Sequence, residues 1–478
     1  MRIAFVANQH KTAFYLALGR RLVQHGAHVT WVSTGPRWSA LLKHGDVPPE
    51  TILDLGALGP EWTAAPPMSE DDTVLLRRIE AAGPLSIKNI LIMDRGLNQR
   101  PAAVALAYAA FVSRAINSFF RAERPEIVLG ETTWAVELLA AQIAPLHGGR
   151  YFGPSTVRTP SERIGFFEGG LQRSLAPLGP LRHDHREAAM AFMADFRKRR
   201  VLPYYLALNR DPTRFRAHWF EEAFRQVTMP SESRYDASVF NLPSRVRARL
   251  AQRHRHRQAL KRAGFERAPE RSAPFVLVTL HKQPEASVDV LGAPYNDQLA
   301  AIRAIARLLP VHWELYVKEH SAAIGDRSLD YYAKLRRIPG VRLIDPWADA
   351  FGMIRRAEMV VSPSGTASLE AGLLGRPAAT LAPMYFGPVL TVNGLDPYST
   401  TKDDLLELLA LARADEASGR AAARADGFIA SLIARSRPGM VGDPINAPAC
   451  VETDNLDRLA AALKELYATL EPPTGLAA

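Results

Sequence analysis

Short apolar runs alternate with amphipathic stretches twice along this chain, and that alternation leaves few folds open. In the first half, RIAFVAN (2–8) reads as a strand, TAFYLALGRRLVQHG as a helix stopped by Gly26, HVTWVST (28–34) as a second strand and TILDLG as a third. EIVLGE (126–131) is another strand, TTWAVELLAAQIAPLHGG a helix ending at a glycine pair, and RYFGP a further short strand. The pattern resumes later with FVLVTLH (275–281), the helix DQLAAIRAIARLLP, and the strands HWELYVKEH (312–320), VRLIDP, EMVVSP and AATLAP (378–383). Strands this continuously apolar need cover on both faces, which predicts parallel sheets wrapped by the intervening helices.

Between the two alternating regions the character changes. Residues 182–271 hold 21 lysines and arginines against 10 aspartates and glutamates, a local excess that accounts for all of the chain's net charge of +10. The segment is helical in pattern and includes RVRARLAQRHRHRQALKRAG. A chain of 478 residues exceeds one compact core. The expected fold is therefore α/β, with two Rossmann-like domains facing across a cleft in a GT-B-like layout. The expected boundaries are 1–180 for an N-terminal domain on the acceptor side, 181–272 for a helical basic insert, 273–400 for a C-terminal nucleotide-binding domain, and 401–478 for a helical tail. The start, MRIAFVANQHKTAF, reads as a strand rather than a signal peptide. The apolar window 101–120 contains Arg114 and much alanine, and reads as a buried helix rather than a membrane span. Cys450 is the single cysteine, so no intrachain disulfide forms, which suits a reducing compartment.

Ligands of doubly wound sheets sit at the carboxyl ends of the strands, so the residues leaving each strand are the candidates. SPSGTASLEAGLLGRP (362–377) exits a strand through Ser364, Gly365 and Thr366 and enters a helix carrying Glu370. Gly365 lets backbone approach a ligand, the two hydroxyls donate, and the helix start favours a phosphate. Glu370 is placed to accept from ribose hydroxyls, because a carboxylate on an apolar helix face is costly without a partner. The alternative is that Ser364 or Thr366 simply caps the helix. In YVKEHS, Lys318 and His320 alternate with Glu319 and share a direction while the strand lasts; they offer charge and donors to a leaving nucleotide, or they are a plain strand end. In LHKQPEAS, the residues His281, Lys282, Gln283 and Glu285 form a polar loop at a strand's carboxyl end. In the first half, Glu131 follows a strand and precedes a helix, as a cap or as a catalytic base or nucleophile. His10 occupies the loop after the first strand, Glu168 is a second carboxylate candidate, and Arg158 and Arg163 are candidates for an anionic substrate group.

The chain has no GxxxxGK[ST] loop, HExxH, CxxC or Asp-x-Asp after a strand. A metal-independent mechanism is the expectation, with positive side chains and a helix terminus offsetting phosphate charge.

LHKQPEAS, YVKEHS, VRLIDP and VVSPSGTASLEAGLLGRPAATLAPMYFG together resemble the capsular polysaccharide biosynthesis family, which includes Kdo transferases. The resemblance is strongest over 275–388. LGETTWAVELL, RYFGPSTVRTPSERIGFF and the tail segments RSRPGMVGDPINAP and DNLDRLAAAL are similar to the matching parts of relatives. It implies a twin-Rossmann glycosyltransferase using a CMP- or UDP-activated sugar. A His-Pro pair and a Ser/Thr cluster that hold the nucleotide in the family fall on His320, followed here by Ser321, and on Ser364, Gly365 and Thr366. The family's Glu-Asp-Gly stretch is missing, which leaves the catalytic carboxylate open between Glu131 and Glu168.

The expected function is thus a glycosyltransferase of bacterial surface polysaccharide synthesis, with no cofactor beyond its nucleotide-sugar donor. Its acceptor is a glycan or a lipid-linked glycan, and its place is the cytoplasm, with the basic segment against anionic lipid at the inner membrane face. No nucleic-acid-binding motif accompanies the arginines. The alternatives are a polyol-phosphate transferase or nucleotide-sugar epimerase on the same scaffold, and a non-catalytic polysaccharide assembly protein.

Overall fold

A computed structural model describes residues 1–198, 217–229, 235–239, 242–267 and 273–470. Its contacts divide the chain into two units. The first holds Met1–Pro180, the described residues between Arg216 and Leu242, and the chain from Ala434 onward. The second holds the described residues from Leu181 to Phe215 and Pro243–Ile433. The α/β expectation with two parallel-sheet units and a helical C-terminal tail holds.

The first sheet contains β1 (Arg2–Ala7), β2 (His28–Ser33), β3 (Ile52–Asp54), β4 (Ile127–Leu129), β5 (Arg150–Thr156), β6 (Arg163–Glu168), β7 (Ser174–Leu175) and β14 (Arg437–Pro438). Its order is β14-β6-β5-β4-β1-β2-β3, with β7 paired to β6. Strands β1 to β5 are parallel, β6 runs antiparallel to β5, and β14 antiparallel to β6. The chain steps from β1 out to β3, then returns to the other side of β1 for β4. The direction of winding therefore reverses between β1 and β4.

On one face, Ile3, Phe5 and Ala7 of β1 join a core with the helices Lys11–Gln24 and Thr453–Thr469. Phe5 stacks on Trp31 with ring centroids 4.8 Å apart. Gly19 is required here, because a Cβ on it would lie 2.7 Å from the Trp31 ring. The helix Ala135–Ile143 covers the opposite face, with Ala102–Glu123 packed on it. Among the described residues, Ala102–Glu123 is the one helix long and apolar enough to cross a membrane, yet its Phe111, Val112, Ile116 and Phe120 are buried within the unit.

The tail does not act as one body. The helices Lys402–Ala417 and Arg420–Ala434 belong with the second unit up to Ile433, and the chain then returns to the first. There Leu459, Leu463 and Leu466 of the last helix are buried, each contributing about 1.5–3 kcal/mol.

The second sheet holds β8 (Phe275–Thr279), β9 (Glu314–Lys318), β10 (Val341–Ile344), β11 (Met359–Ser362), β12 (Ala378–Thr380) and β13 (Val392–Asn393). The order is β10-β9-β8-β11-β12-β13 and every pair is parallel. This is the same winding as β3 to β5 of the first sheet, and the reversal falls between β8 and β11.

The expected basic insert is helical where described, as His183–Lys198, Ala217–Thr228 and Leu242–Arg262. Many of its arginines, among them Arg199, Arg200, Arg210, Arg214 and Arg216, lie outside the described residues. One side of Leu242–Arg262 docks on the loop after β9. Arg255 Nε donates to the Gly325 carbonyl at 2.8 Å, Gln252 Nε2 donates to Asp326 at 2.6 Å, and His256 Nδ1 lies 3.0 Å from the Ile324 carbonyl. Gly325 has φ +97°, and a Cβ there would lie 2.6 Å from the Gln252 carbonyl. Arg247, Arg257 and Lys261 remain exposed.

Candidate functional site

In doubly wound sheets the ligand crevice opens where the winding reverses, at the carboxyl ends of the two flanking strands. In the second unit those strands are β8 and β11, and their loops meet. The ring of His281 sits against Gly365, so that a Cβ on Gly365 would lie 2.7 Å from His281 Nε2. Ser364 Oγ donates to the Ser287 carbonyl, and His281 Nδ1 lies 3.2 Å from Ser287 Oγ. Gln298 clamps the backbone of His281, accepting from its N–H at 2.7 Å and donating to its carbonyl at 3.1 Å and to Gln283 at 2.8 Å. The Glu285 N–H donates to Asp289 at 2.8 Å. The loop after β8 is thus fixed from several sides.

The helix Thr366–Leu373 begins at this junction. Its N-cap is Gly365, in extended conformation, a residue with no side chain of its own to close the helix start. The N-cap position falls on Gly365 rather than on Ser364 or Thr366, and the Gly365 N–H donates to Ser362 Oγ at 2.9 Å. A helix start carries partial positive charge and N–H donors, the chemistry that suits a phosphate. Glu370 lies one turn further in and is 2% exposed.

Cations surround the junction. Lys282 Nζ donates to the Ala322 carbonyl at 3.1 Å and lies 3.8 Å from Asp326. His320 Nδ1 accepts from the Ala322 N–H at 3.1 Å, which puts the proton of the neutral ring on Nε2. Burial, with Lys318, Lys282 and Arg327 nearby, lowers His320 to about 4. It is therefore a neutral donor at physiological pH. Glu319 is buried under Arg327, at 2.7 and 2.8 Å, and the Tyr332 hydroxyl at 2.9 Å. Lys318 turns toward β10, donating to the Pro346 carbonyl at 2.5 Å.

In the first unit the reversal lies between β1 and β4, and a lysine–glutamate pair joins their loops. Lys11 Nζ is hydrogen-bonded to Glu131 Oε1, and the Tyr151 hydroxyl donates to the Glu131 carbonyl. Gly130 makes room for that tyrosine, since a Cβ would lie 2.4 Å from its oxygen. Glu131 does not cap the following helix. Glu137 does, its Oε2 accepting from the N–H groups of Thr133 at 2.7 Å and Trp134 at 3.1 Å. Asp94 takes the Ala135 N–H at 2.8 Å. Glu137 is fully buried; burial, then the charge of Glu131, push it up to about 8. His10 precedes the helix Lys11–Gln24, its ring 5.4 Å from Trp38.

The remaining first-half candidates lie elsewhere. Strand β6 runs against its neighbours, so Glu168 at its end reaches back to Arg150 at the start of β5, at 3.0 Å from Nε. Arg163 donates to Ser436 Oγ at 2.9 Å and to its carbonyl at 2.7 Å, holding the returning tail to β6. Arg158, with φ +66°, directs its guanidinium to Gln172 at 3.4 Å. Lys11, Glu137 and Asp94 were not among the sequence candidates. For Glu137 a signal was present, a carboxylate inside the apolar run AVELLAAQI.

No protein-family model matches the chain, and no curated protein matches it. Among solved structures, it is similar to the glycosyltransferase of kitacinnamycin at 13% identity, covering 97% of this chain and 98% of that one, with a TM-score of 0.28. It is similar to the UDP-GlcNAc 2-epimerase of Methanocaldococcus jannaschii in complex with UDP-GlcNAc and UDP at 10% identity, covering 86% and 92%, with a TM-score of 0.27. For the glycosyltransferase VinC in complex with dTDP the values are 12%, 91%, 98% and 0.26. Likeness at this level says nothing of the reaction, and the architecture rests on the strand order and register above.

Proposed function

We propose that the chain is a glycosyltransferase that uses a CMP- or UDP-activated sugar, with the nucleotide seated on the second unit and the base supplied by the first. The observation that carries this reading is the glycine-led start of Thr366–Leu373 at the β8/β11 reversal, bordered by His281, His320 and Lys282. As the glycosidic bond to phosphate breaks, negative charge grows on the leaving nucleotide. Backbone N–H groups, the His320 Nε2–H and the Lys282 ammonium are donors suited to that charge. They supply counter-charge from the chain itself, which favours a reaction without a bound metal ion. Glu131 takes the proton of the attacking acceptor hydroxyl, and Lys11 holds the carboxylate until it does. The motif resemblance supports a role in capsular or related surface polysaccharide. It also supports a glycan or lipid-linked acceptor at the inner membrane face.

A second reading, a nucleotide-sugar epimerase, is favoured by the two carboxyls of the first unit, one paired with lysine and one raised to about 8. Such a pair suits removal and return of a proton at carbon. Incubation of the protein with CMP- and UDP-sugars separates the two. The transferase reading expects nucleotide release that depends on added acceptor. Deuterium uptake into the sugar from heavy water without acceptor supports the epimerase, and absence of both reactions overturns both.

A further inference from the structure

Behind the Lys11–Glu131 pair lies a set of buried polar groups that the proposed reaction does not use. Thr12 and Tyr15 come from the helix Lys11–Gln24, and Glu137 from Ala135–Ile143. Thr12 Oγ1, Tyr15 Oη and Glu137 Oε1 are buried and have no hydrogen-bond partner among the described residues. The groups facing Glu137 are Glu131 and Lys11 across the β1/β4 reversal, Tyr15 on the first helix, Tyr151 on β5 and Tyr108 on Ala102–Glu123, with Asp94 beside them on the Ala135 N–H. Only one of these is a cation, and Glu131 already holds it.

An ionised Glu137 would leave a bare buried oxygen beside a second carboxylate, which is costly on both counts. As a carboxylic acid it keeps its two N–H contacts on Oε2 and carries its proton on Oε1. We propose that Glu137 holds a proton in the native chain and is a positioning residue for Glu131, so that two carboxyls and one lysine carry one negative and one positive charge. Lys11 is then committed to Glu131 alone. When a substrate O–H bond breaks, its proton bonds to Glu131 and the Glu137 proton stays in place. Ionisation of Glu137 would divide Lys11 between two carboxylates. The base role of Glu131 rests on the function proposed above; the proton count does not.

The direction of the shift supports this, because burial and the charge of Glu131 push Glu137 up to about 8 from an ordinary value near 4.5. The folded chain then keeps a proton that the unfolded chain releases, so stability falls as pH rises between those values and levels off above. The experiment is a carbon-13 titration of glutamate side-chain carboxyls in the full chain from about pH 5 to about pH 9, paired with urea unfolding. We expect one carboxyl to titrate near 8, to vanish in Glu137→Gln and to move down by a unit or more in Glu131→Gln. The urea midpoint should drop toward alkaline pH in the wild type and much less in Glu137→Gln. If that variant does not fold, the wild-type titration and its response to Glu131→Gln decide. A Glu137 carboxyl that titrates in the ordinary range, or one unmoved by Glu131→Gln, overturns the proposal. Neither readout needs substrate, so failure of the proposed reaction leaves this test intact.

Discussion

The two sheets share one winding, and at the same place in it each feeds a helix with a buried glutamate, Glu137 after β4 and Glu370 after β11. The starts of those helices differ in what meets their N–H groups. In the first unit, Glu137 and Asp94 accept from Thr133, Trp134 and Ala135. The positive end of that helix is answered from inside the protein. In the second unit the N-cap is a glycine whose N–H donates to Ser362 Oγ, and the adjoining loops carry histidine, serine and lysine. On the function proposed above, one position in a shared architecture is closed to an external anion and the other receives one. A helix start indicates a phosphate site only where the protein has not already filled it.

The largest effect is expected on chemistry. Glu131→Gln should lower turnover by roughly 10²–10⁴, with nucleotide affinity within error of wild type by calorimetry. Equal losses in both would merge the two sites into one and break the contrast. Next come the two glycines. Gly365→Ala presses on His281 at 2.7 Å and Gly130→Ala on Tyr151 at 2.4 Å. The first should weaken nucleotide binding by about 1–3 kcal/mol. The second should leave binding unchanged and reduce unfolding stability by about 1–3 kcal/mol. A reversed pattern would place the nucleotide on the first unit.

A smaller effect concerns pH. His320 falls to about 4 when folded, from an ordinary 6.5. Its stability contribution is therefore complete above about 6.5 and is lost as pH falls toward 4. Denaturation midpoints of wild type and His320→Asn should diverge least in acid and most near neutrality, and parallel curves would mean that His320 is not buried neutral. The smallest effect belongs to the basic helix. Arg255 is engaged by Gly325, so the exposed Arg247, Arg257 and Lys261 are the residues to change. Their replacement by Gln should reduce co-sedimentation with anionic vesicles by about 1 kcal/mol for each residue near the surface, and the loss should shrink as salt rises. Equal binding to neutral vesicles would remove the electrostatic account.

Much of the fold was legible because its strands are short, apolar and separated by helix-length stretches. The strands that escaped are of another kind. RIGFFE is antiparallel and broken by Gly165, and β13 and β14 are two residues each. Missing β6 had a cost at the site, since the antiparallel direction turns Glu168 and Arg163 to structural partners. Ser364, Gly365, His281 and Glu131 could be read from their places after strands. That His281 meets Gly365, and Lys11 meets Glu131, depends on which strands are neighbours, and local pattern does not encode that. Glu137 shows the same buried carboxylate in an apolar helix that singled out Glu370. Asp94 reads locally only as a turn residue, accepting from the Gly96 and Leu97 N–H groups, because the helix it also serves begins at Ala135, far along the chain.

In the proposed function the helix start after β11 receives the nucleotide phosphate and the one after β4 does not. Backbone amide chemical shifts of the full chain, followed as CMP and UDP are added in turn, test this most directly. At least one nucleotide should move the amides of Gly365, Thr366, Ala367 and Ser368 and of the His281–Ser287 and His320–Ala323 loops, while those of Thr133, Trp134 and Ala135 stay still. Shifts gathered on the first unit, with Gly365 to Ser368 unmoved, would contradict it.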